Sequence, residues 1–194
     1  MEVHRCGWCV GDPLYEKYHD EEWGVPLYED RRLFEFLILE TFQAGLSWIT
    51  ILRKRENFRA AFDDFDYEKV AAYGEAKFEE LMQNPGIIRN KLKIKAAITN
   101  ALAFMEIQKE FGSFSTYIWG FVDGKPVQNT LEDYRKAPAN TPLSDTISKD
   151  LKKRGFKFVG TTVIYAHMQA TGMVNDHEKG CFRYEEVGRL RAEE

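Results

Sequence analysis

Cys6 and His19 near one end of the chain, with His177 and Cys181 near the other, supply two thiols and two imidazoles. That is the donor set of a closed tetrahedral zinc site, and one ion held by all four would join the two ends. The spacing His177-x-x-x-Cys181 suits such a grip; the pairing with Cys6 and His19 does not follow from spacing. Cys6-Gly7-Trp8-Cys9 is a rival pattern, since C-x-x-C also suits a thiol redox centre or a two-cysteine zinc grip. The βαβ periodicity that a thioredoxin-like reading needs is absent. His4 is one more potential ligand, at a position where histidines are commonly solvated.

A second constellation is built around a carboxylate. At 100° per residue Glu40 falls in the middle of the stripe made by Leu33, Phe36, Leu37 and Ala44, on a helix whose other directions are also apolar. A carboxylate there must find donors, take up a proton, or face a cavity where a ligand supplies the partner. Trp8, Tyr15, Tyr18, Trp23 and Trp48 lie close to it in sequence, and three of the four tryptophans fall in the first 48 residues. Such rings are equally compatible with ordinary core. Together with a buried acid they describe a slot for a flat, cationic, hydrogen-bond-donating ligand, with faces for stacking and one anionic acceptor.

The third feature is Lys152-Lys153-Arg154-Gly155-Phe156-Lys157-Phe158-Val159-Gly160-Thr161-Thr162. Two glycines five apart between helical stretches make a tight hairpin that leaves backbone N–H groups free at the start of the second helix, where a phosphate fits. The net charge of −4 gives no global attraction to nucleic acid, so these four cations would have to act locally. A plain packing corner with solvated lysines is the competing reading. The run Arg89 to Lys95 alternates charged and apolar residues and fits an amphipathic helix face.

The elements that must position these groups are helical. Asp30 to Ala44 reads as the first long helix, with Asp30 as its cap. Helices are also expected over Trp48 to Ala61, Tyr67 to Tyr73, Glu75 to Met82, Ile88 to Lys109, Ser144 to Arg154, and Thr161 or Thr162 to Thr171. His167 on the last of these is expected to be a hydrogen-bonded core residue. From Gly112 to Leu143 the pattern weakens into a surface excursion with one short apolar segment, Tyr117 to Val122, and Tyr184 to Glu194 reads as a frayed helical tail. A chain of 194 residues with 44% hydrophobic content suits one well-buried domain spanning 1–194, with room for two lobes. No run reaches membrane-span length, Met1 to Arg5 lacks a signal-peptide core, and three cysteines do not make a disulfide framework. A cytoplasmic monomer is the expectation.

Arg5-Cys6-Gly7-Trp8, Asp12-Pro13-Leu14-Tyr15, Tyr18-His19-Asp20-Glu21-Glu22-Trp23-Gly24-Val25-Pro26, Leu39-Glu40, Gln43-Ala44-Gly45-Leu46-Ser47-Trp48, Lys54-Arg55-Glu56-Asn57, Gly86-Ile87-Ile88-Arg89, Lys153 to Thr162 and Val174-Asn175-Asp176-His177 closely resemble the 3-methyladenine DNA glycosylase I family, from about Cys6 to Cys181. The resemblance implies an all-α helix-hairpin-helix DNA glycosylase fold, the paired helices falling at about 148–172. It implies a structural zinc on Cys6, His19, His177 and Cys181, and a base pocket of Glu40, Tyr18, Trp48, Trp8, Tyr15 and Trp23. It also implies that the aspartate usual in such glycosylases is missing and that Glu40 handles the base. The expected reaction is hydrolysis of the N-glycosidic bond of a flipped 3-methyladenine, without strand cleavage. Leu46 would help fill the gap in the duplex, and Gly155, Lys157, Val159, Gly160, Thr161 and Thr162 would hold the DNA. Cys9, an extra thiol beside a metal ligand, departs from the family pattern. A non-catalytic module for distorted DNA and a thiol oxidoreductase using Cys6 and Cys9 are the other readings.

Overall fold

In the computed structural model, which describes residues 3–190, the described chain is mostly helical. Helix α1 (Pro13–Glu21) opens it, a helix that the aromatic and charged composition of the segment masks. Its start is nonetheless encoded: Asp12 accepts from the backbone N–H groups of Leu14 and Tyr15, and Pro13 sits where its missing N–H is harmless. Helix α2 (Asp30–Gln43) runs through the centre, with ten consecutive residues, Leu33 to Phe42, all buried.

Asp30 does not cap its own helix. The N-cap is Glu29, without a side-chain bond, while the Asp30 carboxylate accepts from the N–H groups of Phe114 and Ser115 and from Gln108 Nε2. It thus satisfies the free N–H groups at the start of another helix. The expected single helix from Trp48 is two, α3 (Trp48–Arg53) and α4 (Arg55–Ala61), broken at Lys54. The break turns Arg55 inward onto Glu35 and Glu22.

Helices α5 (Tyr67–Ala71) and α6 (Glu75–Gln83) follow, then the long α7 (Lys91–Phe111), which begins later than its apolar pattern because the Asn90 side chain caps it. The expected surface excursion is only partly one. It contains α8 (Phe114–Trp119), with four residues buried in the main core, and a two-residue strand β1 (Val127–Gln128) pairing in parallel with β2 (Val174–Asn175). Helix α9 (Pro142–Lys153) starts at a Thr141/Ser144 capping box and leads through a hairpin into α10 (Thr161–Ala170). The expected frayed tail is, over its described part, α11 (Phe182–Arg189), anchored by a fully buried Val187; residues 191–194 of that expectation lie outside the described residues.

Candidate functional site

Two carboxylates on α2 have opposite environments, and the contrast identifies the site. Glu35 is buried between Arg55 Nε (2.9 Å) and Arg59 Nε (2.7 Å). Burial works to raise its pKa, but the charges of Arg55, Arg59 and Arg32 prevail and hold it below the usual carboxylate value. Glu40, 2% exposed, has no arginine or lysine partner among the described residues. Its one side-chain bond is from His167 Nδ1 on α10, 2.9 Å from Oε2. Burial raises the Glu40 pKa, and His167 pulls in the opposite direction.

Glu40 opens onto a cavity of about 230 Å³ whose walls include Trp8, Tyr15, Tyr18, Trp23 and Trp48. All five rings singled out in the sequence therefore meet there. Trp8 contacts Tyr15 and Trp23 edge to face, at 4.8 and 5.0 Å between ring centroids, and Tyr18 lies 5.8 Å from Trp48. The Tyr18 hydroxyl and Trp48 Nε1 are buried without a hydrogen-bond partner, which is costly unless a ligand completes them. Burial, then the charge of Glu40, pushes the Tyr18 hydroxyl pKa well above its usual value, so it stays a donor.

The cavity has a second wall that sequence reading does not supply: Gln43, Leu131, Tyr134, Ala137, Gln169 and Asp176. Gln43 is one helical turn from Glu40 and is open to inference; Leu131 to Ala137 lie in an irregular segment with no period to read. Asp176 is a buried carboxylate at the site, yet its oxygens accept from Asn129 Nδ2 (2.7 Å), Gln169 Nε2 (2.9 Å) and the Tyr165 hydroxyl. Three donors leave it poorly placed to act as a base. His167 is a hydrogen-bonded buried residue as expected, but its partner is Glu40, so it belongs to the site.

Cys6, His19 and Cys181 place their ligand atoms within 4.8 Å of one another. His177 stands just outside that triad, its ring centroid 5.1 Å from that of His19. The donor chemistry fits a metal. His19 Nδ1 is tied to Asp20 Oδ1 (2.8 Å) and His177 Nδ1 to Asn175 Oδ1 (3.0 Å), which leaves each Nε2 to coordinate. His177 Nε2 is buried and unpartnered. Burial, then the neighbouring His19 charge, lowers the His177 pKa to about 3 and keeps that ring in its ligating form; burial works to lower the His19 pKa too, but hydrogen bonds to Cys181, Cys9 and Asp20 raise it to about 10, so a bound metal would have to displace the His19 proton. All three cysteines are free. The Cys9 thiol donates to the Cys6 carbonyl (3.2 Å) and also lies against His19. His4 is exposed.

The cluster also holds the pocket wall. Trp8 packs on His19, and Trp23 on His177, at 5.4 and 4.7 Å. Glu178, next to His177, accepts from the N–H groups of Gly7 (3.0 Å) and Tyr134 (2.7 Å).

The two segments expected to meet DNA lie outside the pocket lining. Leu46 is 40% exposed in the loop between α2 and α3, beside Gln43 and Trp48. In the hairpin, Gly155 and Phe158 have positive φ (97° and 56°), and Gly160 gives α10 no side-chain cap, leaving its first N–H groups open to an anion. Lys152, Lys153, Lys157 and Thr162 are exposed; Gly155, Gly160 and Thr161 are half-buried. Two expectations change here. Val159 is fully buried, backbone included, and its carbonyl accepts from Ser148 Oγ (2.6 Å), so it offers no group outward. Arg154 is not a free cation, being bound to Asp150 and Glu110, each at 2.7 Å. In the run Arg89 to Lys95, Lys93 is buried, which an amphipathic face does not explain.

A helical fold with a buried carboxylate in a ring-lined slot defines a site suited to a flat charged ring. The methyladenine glycosylase family model matches residues 8–184. DNA-3-methyladenine glycosylase 1 of Escherichia coli (strain K12) is 51% identical over 182 residues, 94% of this chain and 97% of the relative. A crystal structure of a 3-methyladenine DNA glycosylase I, 54% identical, superposes with a TM-score of 0.89 over 92% of this chain and 98% of the other. A variant 3-methyladenine DNA glycosylase I in complex with 3-methyladenine, 38% identical, gives the same TM-score over 92% and 96%. The chain belongs to the methyladenine glycosylase family.

Proposed function

We propose that this chain is a DNA-3-methyladenine glycosylase of base-excision repair, releasing the damaged base by hydrolysis and leaving an abasic site. The observation that carries the reading is Glu40: buried, bonded to His167 but to no arginine or lysine among the described residues, and facing a cavity in which Tyr18 and Trp48 also hold unsatisfied donors. A 3-methylated adenine in DNA carries positive charge; the carboxylate accepts from its amino group while Trp48, with Tyr18, Trp8, Tyr15 and Trp23, supplies ring faces and edges. Neutral adenine gains less from both, so charge as well as shape selects the damaged base. Departure neutralises the base and needs little protonation of the leaving group. Water attacks the sugar, and because no lysine lines the cavity among the described residues the enzyme is monofunctional.

The DNA is gripped by a helix-hairpin-helix unit of α9 and α10 in a two-lobed, single-domain monomer acting in the cytoplasm. Leu46 enters the duplex, and the open N–H groups around Gly160, Thr161 and Thr162, with Lys157, hold phosphates, while Gly155, whose N–H is bonded to Lys152, and the buried Val159 shape the hairpin that presents them. A structural zinc on Cys6, His19, His177 and Cys181 joins the two ends of the chain; with four protein ligands it has no open position for catalysis. The test is chromatography of the free bases released from duplex DNA carrying a panel of methylated bases. Release of 3-methyladenine is expected. Tight binding to the same DNA with no base released would instead mean a non-catalytic module.

A further inference from the structure

Helix α7 lies behind both segments placed against DNA, and two of its buried polar side chains end on their backbones. Lys93, 6% exposed, donates from Nζ to the carbonyls of Phe42 (2.9 Å) and Ala44 (2.7 Å). These are terminal carbonyls of α2, at the root of the loop that carries Leu46. Asn100, fully buried, donates from Nδ2 to the Lys157 carbonyl (3.0 Å) and accepts the Lys157 N–H on Oδ1 (2.8 Å). It clamps the tip of the hairpin at two points.

The two residues are seven apart. On an α-helix that is two turns less about 20°, so they share a face, separated along the axis by roughly 10.5 Å. A helix is stiff over that length. The placement of Lys93 is itself costly: an ammonium is largely removed from water, in the first turn of its own helix, where the dipole disfavours a cation. At the carboxyl end of α2 the same charge is favourable. An apolar side chain would serve α7 better if packing were the only requirement.

We propose that Lys93 and Asn100 are positioning residues that make α7 a rigid spacer, fixing the Leu46 loop and the hairpin at the separation needed to grip DNA around an extruded nucleotide. The proposal rests on the reading that these two segments contact DNA. Neither residue lines the base cavity, so their loss separates two properties that general unfolding would lower together.

The experiment compares the full-length protein with Lys93→Met, Lys93→Arg and Asn100→Leu. Three quantities are measured: release of 3-methyladenine from methylated duplex, affinity for a duplex with a synthetic abasic site, and affinity for free 3-methyladenine by tryptophan quenching. Lys93→Arg keeps the charge but is too long for the same two bonds, and it carries the test if Lys93→Met does not fold. The variants should lose about 10- to 100-fold in kcat/KM and duplex affinity, the scale of a misplacement near 1 Å, with free-base affinity unchanged. Wild-type performance on DNA, or a fall in free-base affinity in step with the DNA losses, overturns the proposal. Should the unaltered protein neither release base nor bind the abasic duplex, the glycosylase reading itself fails, a distinct result.

Discussion

Gly24→Ala is a severe test of the link between the metal cluster and the pocket. Gly24 has φ of +78°, and a Cβ there would lie 2.6 Å from His177 Cε1 and 3.1 Å from its Nδ1. The imidazole has little freedom to retreat, because Nδ1 is held by Asn175 and the ring is packed against Trp23 and His19. A side chain at positive φ costs about 1–2 kcal/mol, and overpacking a buried contact adds about 1–3 kcal/mol. The sum, about 2–5 kcal/mol, corresponds to a fall in Tm of roughly 4–20 °C for a chain of this size. Gly11→Ala separates the two contributions: it also has positive φ, +98°, but no atom lies within 4 Å of the added carbon. It should lose about 1–2 kcal/mol, the backbone contribution alone. Thermal unfolding of both variants, with metal content measured on the same samples, is the assay. Gly24→Ala should melt below Gly11→Ala and retain less of whatever metal the unaltered protein carries; equal melting and equal metal content would refute the packing of His177 described above.

Three further outcomes follow from the site. Stripping the metal with a chelator should lower Tm by roughly 8–16 °C, from about 4 kcal/mol of linkage at a thousandfold excess over Kd, and should change the fluorescence of Trp8 and Trp23, which rest on His19 and His177; an unchanged Tm after verified removal would mean that the cluster has no structural metal. Because burial raises the Glu40 pKa, the stability linked to this group is fully present below its unfolded value and is lost as pH rises through the folded one. Glu40→Gln should therefore be more stable than wild type at pH near 8, by about 1.4 kcal/mol for each tenfold weakening of the acid on folding, with the gap closing in acid; urea midpoints across pH measure this, and a constant gap would contradict it. His167 lowers the Glu40 pKa, so His167→Leu should move the rising limb of kcat/KM against pH to higher pH, and a profile that stays in place would show that Glu40 does not control that limb.

How much of this is written legibly in the chain depends on the distance over which each signal acts. Glu40 is readable because helical periodicity alone puts a charge in an apolar stripe. Glu35 is only partly so: Arg32 is one turn away, but the arginines that bond it most closely, Arg55 and Arg59, lie 20 and 24 residues on. Asp30 has the type and position of a cap and is one, but for α8, and nothing local says which helix it serves. The break at Lys54 has no glycine or proline to mark it and is explained by where Arg55 must go. The five pocket rings stand out because they cluster in sequence; Tyr134 and Leu131 do not, since an irregular segment brings them there. His167 reads as a satisfied core histidine, which is true as far as composition reaches, and only tertiary structure reveals that it satisfies Glu40. Family resemblance supplies the role of the distant metal ligands, which spacing leaves open, and the cluster places three of them together with His177 alongside.

The central claim is that a buried, negatively charged Glu40 pairs with a positively charged base, and Glu40→Gln examines it with almost no change of shape. Release of 3-methyladenine from methylated duplex is measured for both proteins at equal folded fraction. The account predicts a fall in kcat/KM of about 10²- to 10³-fold, the scale of losing one preorganised electrostatic partner, in a protein at least as stable as the wild type. Excision at the wild-type rate by folded Glu40→Gln protein would contradict it.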